Sequence, residues 1–84
     1  MSEEPILTVI VLSSGKTYFL GKAKSVSSNN KIGPFDVLPM HENFISMLYD
    51  RVTIVDEKGQ RTEVPCDHGI LEVSENRVRV FIGI

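Results

Sequence analysis

A chain of 84 residues has room for one domain, residues 1–84, and for one compact core, since a chain this short buries only about 60–65% of the surface that it exposes when unfolded. Nine basic and eleven acidic residues leave a formal net charge of −2 with both signs scattered along the sequence, so no field is set up to attract a polyanion, which excludes nucleic acid as a partner class. Leu, Ile, Val and Phe make up 28 residues, enough to fold, and Ile and Val number 18 against 7 for Leu and Ala, a balance that favours pleated strands over helices.

The first element runs over residues 6–12. Ile6, Ile10 and Leu12 alternate with Leu7, Val9 and Val11, and only Thr8 is polar, so this strand is either covered on both faces or paired centrally. Ser13-Ser-Gly-Lys16 has turn chemistry, and an extended pattern resumes over residues 17–20. Residues 22–28 interleave Lys22, Lys24 and Ser27 with Ala23 and Val26, as on a strand with one wet face, and Ser27-Ser-Asn-Asn30 breaks the pattern. Residues 35–38 form a short strand stopped by Pro39, which has no amide hydrogen to give to a ladder. Phe44, Ile45 and Leu48 fall at helical spacing, yet the same stretch continues naturally into Arg51-Val-Thr-Ile-Val55, and a short turn followed by a strand is the expectation. Asp56-Glu-Lys-Gly59 reads as a hairpin loop between residues 52–55 and 61–64, with Pro65 ending the second strand or marking an edge. The last pair, residues 70–73 and 78–82, joins across Ser74-Glu-Asn-Arg77, and alternation turns Arg77 and Arg79 outward and Val78 and Val80 inward. Short strands separated by turn signals at intervals of roughly 8–12 residues are the pattern of a sandwich or barrel; the expected fold is a small all-β sandwich of about eight to ten short, mostly antiparallel strands.

Chemistry is hard to assemble from these residues. Cys66, Asp67, His68 and His41 are the only grouping that suggests a metal or a nucleophile, but no second Cys or close His pair completes a four-ligand zinc set, and they read as loop residues with packing roles. No Gly-rich phosphate loop, nucleophile elbow or carboxylate pair at catalytic spacing is present, so neither an enzyme nor a cofactor is expected. A lone cysteine favours a reducing compartment. Met1-Ser-Glu-Glu-Pro5 lacks the basic region of a signal peptide, and no apolar run approaches the ~20 residues that span a bilayer, so the expected setting is soluble and intracellular.

Two segments carry a family resemblance. Gly33, Phe35, Val37, Leu38, Pro39 and His41 reproduce the Gly-x-Phe-Gly-(Val/Ile)-Leu-Pro-Gly-His stretch of rotary ATP synthase epsilon subunits. Gly69, Ile70, Leu71, Glu72, Val73, Asn76, Val78 and Val80 follow in order the Gly-Gly-(Phe/Ile)-Leu-Glu-Val and Val-x-Val segments near the end of the same N-terminal domain. The chain therefore resembles the epsilon-subunit β-sandwich over about residues 5–82. The resemblance implies a non-catalytic subunit that docks on the gamma subunit and the c-ring of a proton-translocating ATP synthase, at the cytoplasmic, inner face of the membrane and without inserting into it. It assigns Pro39, Met40, His41 and Phe44 to gamma-side contacts and Lys31, Ile32 and Pro34 to the c-ring side. Leu38 and Phe44 stay open between core and surface, whereas Ile32 between Lys31 and Gly33 is the apolar residue hardest to place in a core.

The departures are local. Met40 stands where the family carries glycine, Asp36 replaces another glycine, Pro34 a position often acidic and His68 the first glycine of the later pair; the Asn29-Asn-Lys-Ile32 loop lacks the usual glycine, and asparagine is expected to supply left-handed backbone there. Family members continue into a two-helix hairpin that carries regulatory contacts and, in some bacteria, an ATP site, so no ATP binding is expected of the residues present. A free-standing adaptor that keeps the sandwich but serves another protein is the alternative.

Overall fold

The computed structural model describes residues 5–83; residues 1–4, where a signal peptide's basic region was sought, and Ile84 lie outside them. Seven strands follow one another: β1 (Leu7–Ser13), β2 (Lys16–Asn30), β3 (Gly33–Val37), β4 (Phe44–Asp56), β5 (Arg61–Pro65), β6 (Gly69–Ser74) and β7 (Arg77–Ile82). The all-β sandwich is as expected, but the described residues form seven strands where eight to ten were expected, because two strands are long. The polar run Ser27-Ser-Asn-Asn30 does not end β2. Its hydroxyls find partners within the ladder: Ser28 Oγ donates to the Arg51 carbonyl at 2.7 Å and Ser27 Oγ to Asp36 Oδ1 at 2.6 Å. In the same way residues 44–56 form one strand that bends at Asp50, whose φ is 79° and whose carbonyl accepts the Cys66 N–H at 2.9 Å. Aspartate tolerates this left-handed conformation better than most residues.

The strand order is β3-β2-β1-β7-β6-β4-β5, and an additional β2–β4 pairing closes the sheet on itself. Along β2, β1 pairs with residues 16–23 and β3 with residues 26–30, while β4 pairs from Ala23 onward. Along β4, β6 lies beside residues 44–48 and β5 beside residues 51–55. The two long strands therefore pass from one layer of the sandwich to the other. All ladders are antiparallel except β1 with β7. β1 is thus paired centrally, between β2 and β7, which explains its near-continuous apolar run.

Leu7, Val9, Val11, Val26, Leu48, Val52, Ile54, Leu71, Val73, Val78 and Val80 fill the space between the layers, with Ala23, Val37, Val64 and Cys66 completing the core. Each such aliphatic side chain contributes about 1.5–3 kcal/mol by leaving water. Arg77 and Arg79 face outward as the alternation requires, and Arg79 Nε meets Glu72 Oε1 at 3.2 Å across β6 and β7.

Candidate functional site

The residues assigned by resemblance fall at the two ends of β3. At its C-terminal end the chain leaves the sheet at Leu38, turns, and re-enters at Phe44. The turn closes with the His41 N–H donating to the Leu38 carbonyl at 3.1 Å. Met40 sits at φ 71°, a left-handed conformation that glycine would adopt most cheaply, at the position where the family pattern carries glycine. A side chain from another part of the sequence holds it: the Met40 N–H donates to Asn76 Oδ1 at 2.6 Å, and Asn76 Nδ2 reaches Met40 Sδ at 3.6 Å. Asn76 lies in the β6–β7 turn, and its own carbonyl accepts the Thr8 N–H of β1 at 2.8 Å. One residue thereby links the two segments that carry the family resemblance.

The side chains of this loop divide sharply. Met40 is 73% exposed and Leu38 54%, so Leu38 belongs to the surface. Phe44 goes the other way: it packs against the core and meets Phe35 and His41 in edge-to-face contacts with ring centroids 5.5 Å apart in each pair. The His41 ring is fixed a second time by Nδ1, which lies 2.8 Å from the Glu42 carbonyl; a carbonyl only accepts, so Nδ1 carries the proton. Pro39 is half-buried.

At the other end, roughly 13 Å along β3 at ~3.3 Å per residue, Lys31 and Ile32 form the tip of the β2–β3 hairpin. Ile32 is 97% exposed. Asparagine does serve this turn, but not through left-handed backbone. Asn30 Oδ1 accepts the N–H groups of Ile32 at 2.9 Å and Gly33 at 3.2 Å, and the positive φ falls on Gly33 at 139°. Pro34 is exposed at the start of β3.

Two further apolar residues join the groups, and the sequence did not single them out. Ile45 and Met47 on β4 are 71% and 45% exposed, and with Asn30, Lys31, Ile32, Ser46 and Tyr49 they line an open groove of about 500 Å³. Their alternation with Phe44 and Leu48 was the signal, but it could not say which of two apolar faces would remain uncovered. Cys66 is buried just after the end of β5, where burial, then the charge of Asp67, pushes its thiol above the ordinary value near 9.0. His68 lies on the surface in an edge-to-face contact with Tyr49. Among the described residues no cluster of three or more His, Cys, Asp and Glu side chains is arranged to hold a metal ion, and no helix is long and apolar enough to cross a membrane.

Fold and site together define a small two-layer β-sandwich that presents apolar side chains from turns held by side-chain hydrogen bonds. The family described as ATP synthase, Delta/Epsilon chain, beta-sandwich domain matches residues 6–83, and the chain belongs to it. Among curated relatives, the ATP synthase epsilon chain of Clostridium acetobutylicum is 33% identical over 69 residues, covering 81% of this chain and 52% of the relative. That of Corynebacterium aurimucosum is 34% identical over 77 residues, covering 89% and 63% respectively. The chain thus spans about half to three-fifths of the length of the curated relatives it matches. Its fold recurs in the Euglena gracilis mitochondrial ATP synthase structure, described as OSCP/F1/c-ring in rotational state 1, at TM-score 0.85 and 13% identity over 98% of this chain and 53% of that one. It recurs again in the central stalk/c-ring structure of Tetrahymena thermophila mitochondrial ATP synthase, at TM-score 0.76 and 10% identity over 99% and 67%.

Proposed function

We propose that this chain acts as the sandwich domain of an epsilon-type stalk subunit, a non-catalytic part of a rotary ATP synthase that docks by protein contact alone, peripheral to the cytoplasmic face of the membrane. Pro39, Met40, His41 and Phe44 would face a gamma-type subunit, and Lys31, Ile32 and Pro34 the c-ring. Family membership supports the assembly. The single structural observation in favour of the first face is Met40, a large, exposed apolar side chain on a left-handed backbone whose N–H donates to Asn76 Oδ1, while Asn76 Nδ2 donates to its Sδ. A side chain displayed at the cost of about 1–2 kcal/mol of backbone strain is better suited to a contact than to solvent. The free energy of docking would come from Met40 and Leu38, with His41 and Phe44 forming the rigid wall behind them.

Isothermal titration of the chain against a gamma-type subunit tests this. Met40→Asp and His41→Ala should each weaken the complex at least about tenfold while leaving the thermal melt within a few degrees of the parent. If the subunit binds and neither substitution changes its affinity, the assigned face is wrong. If it does not bind at all, the alternative of an adaptor serving another protein is the better reading.

A further inference from the structure

Among the described residues the topology leaves four strand edges unpaired over part of their length. Pro34 in β3 and Pro65 in β5 each remove a donor from their strand. At the start of β4 the hairpin tip is bridged to the strand by Asn30 Nδ2, which donates to Ser46 Oγ at 3.3 Å. The fourth edge is β2 over residues 16–22. There β1 pairs along one side, whereas β4 takes up the other side only at Ala23. These residues include no proline, and strand geometry turns the N–H and C=O of about three or four of them away from β1.

Charge says what such an edge can receive. From residue 5 to residue 35 the chain carries Lys16, Lys22, Lys24 and Lys31 and no carboxylate, so the scatter of charge over the whole sequence does not hold for this strand. Lys22 Nζ donates to Thr8 Oγ1 at 3.0 Å and Lys16 Nζ lies 4.5 Å over the Tyr18 ring, contacts that an incoming carboxylate could exchange for an ion pair, and both side chains stand with Tyr18 and Leu20 on the exposed face of the strand. Between them Leu20 is 70% exposed, beside a groove of about 300 Å³ that also takes in Ile10, Arg77 and Arg79. Among the described residues Asp56 pairs with Ala23 just beyond this edge, and its Oδ1 already accepts the N–H groups of Lys58 and Gln60 at 2.9 Å each. Glu72 is engaged by Arg79. Self-pairing about a two-fold axis at Phe19 would set Lys16 against Lys22 of the second copy, and like charges directly opposite are destabilising. The same lysines favour a strand that brings carboxylates.

We propose that residues 16–22 of β2 accept, as an added strand, an extended segment of a partner protein with apolar residues at its centre and carboxylates at its ends. Main-chain hydrogen bonds to the free edge would hold it, Tyr18 and Leu20 would cover its apolar residues, and Lys16 and Lys22 would pair with its ends. None of these residues is among those assigned to stalk contacts.

The test titrates the 84-residue chain with a synthetic peptide of about ten residues, a Val–Thr alternating centre with glutamates at both ends, and with its lysine-ended twin. The glutamate peptide should bind roughly tenfold more tightly than the twin, and that preference should weaken with salt. Alternate amides within residues 16–22 should exchange with deuterium roughly tenfold more slowly when it is bound. Lys16→Glu combined with Lys22→Glu, both at exposed positions, should reverse the preference between the peptides. Equal binding of the two peptides, no binding at millimolar concentration, or protection confined to another strand would overturn the proposal. A concentration-dependent dimer that shields the same amides without peptide would overturn it in favour of a second copy.

Discussion

Gly69 is the position at which a single methyl group should do most damage. A Cβ built there would stand 2.8 Å from Cys66 Sγ and 2.9 Å from the Phe81 carbonyl oxygen, both far inside van der Waals contact. The thiol sits on a short side chain within the core and has little room to withdraw, and the carbonyl belongs to the β6–β7 ladder, in which Gly69 faces Ile82. Overpacking of this kind costs about 1–3 kcal/mol. Because alanine stiffens the unfolded chain, about 0.4–1 kcal/mol of that is offset. Gly69→Ala should therefore lose about 1–2 kcal/mol, which for a domain of this size lowers the melting temperature by about 5–15 °C. Urea denaturation at constant m-value measures the loss, and a double-mutant cycle with Cys66→Ala assigns it. Removing the sulfur relieves one contact and leaves the backbone one, so the alanine should cost roughly half as much in the Cys66→Ala background. Stability unchanged by Gly69→Ala, or a cost identical in both backgrounds, would refute this reasoning.

Cys66 also makes a pH prediction. Its folded-state pKa is raised, by burial first and by Asp67 second, so its contribution to stability is complete below the unfolded value near 9.0 and is lost as the pH rises through the folded value; the difference in stability between the parent and Cys66→Ala should be flat from pH 6 to 8 and shrink above about 9, as urea titrations at each pH would show. Asp50→Val should cost about 1–2 kcal/mol or more, because a β-branched residue resists φ 79°, whereas Asp50→Gly should stay within about 0.5 kcal/mol of the parent; equal losses in chemical denaturation would contradict the strain argument. Asn76→Ala should cost about 1–2 kcal/mol, from the lost acceptor for Met40 and from alanine at φ 61°, and Asn76→Asp, which keeps the acceptor, should cost less than half of that in thermal melts.

The sequence was most legible where local pattern and tertiary role agreed. Val78 and Val80 turn inward between Arg77 and Arg79 because a two-residue period is all that a strand with one covered face requires. Ile32 could be read as surface because nothing in the polar turn around it offered a core. Long strands were less legible. Ser27 to Asn30 look like a breaker by composition, and they remain in β2 only because Arg51 and Asp36, distant in sequence, supply partners for Ser28 and Ser27. The proposed partner surface was legible only in part. Met40 stood out as a departure from the family pattern, but Ile45, Met47 and Leu20 lie in strands whose alternate faces are both apolar, and exposure there depends on how the two layers close.

Asn76 gives a physical reason why the two family segments occur together. The Pro39–His41 turn cannot fix its own left-handed residue, because the only backbone bond it makes internally, His41 N–H to the Leu38 carbonyl, leaves the Met40 amide without a partner inside the turn. Asn76 supplies that partner from a turn in which it is itself left-handed, at φ 61°, a conformation that asparagine accepts more readily than most residues. Its carbonyl meanwhile binds the Thr8 amide, so the loop, the β6–β7 turn and the start of β1 hold one another. The backbone at position 40 is therefore set from outside the loop, and its exposed side chain is not needed to hold the turn. Glycine is the least strained residue there, yet Met40 can occupy the position for a modest cost because Asn76 holds the backbone for either. Exchange at position 40 should change what the loop offers to a partner and leave the fold intact, whereas exchange at position 76 acts on fold and loop together.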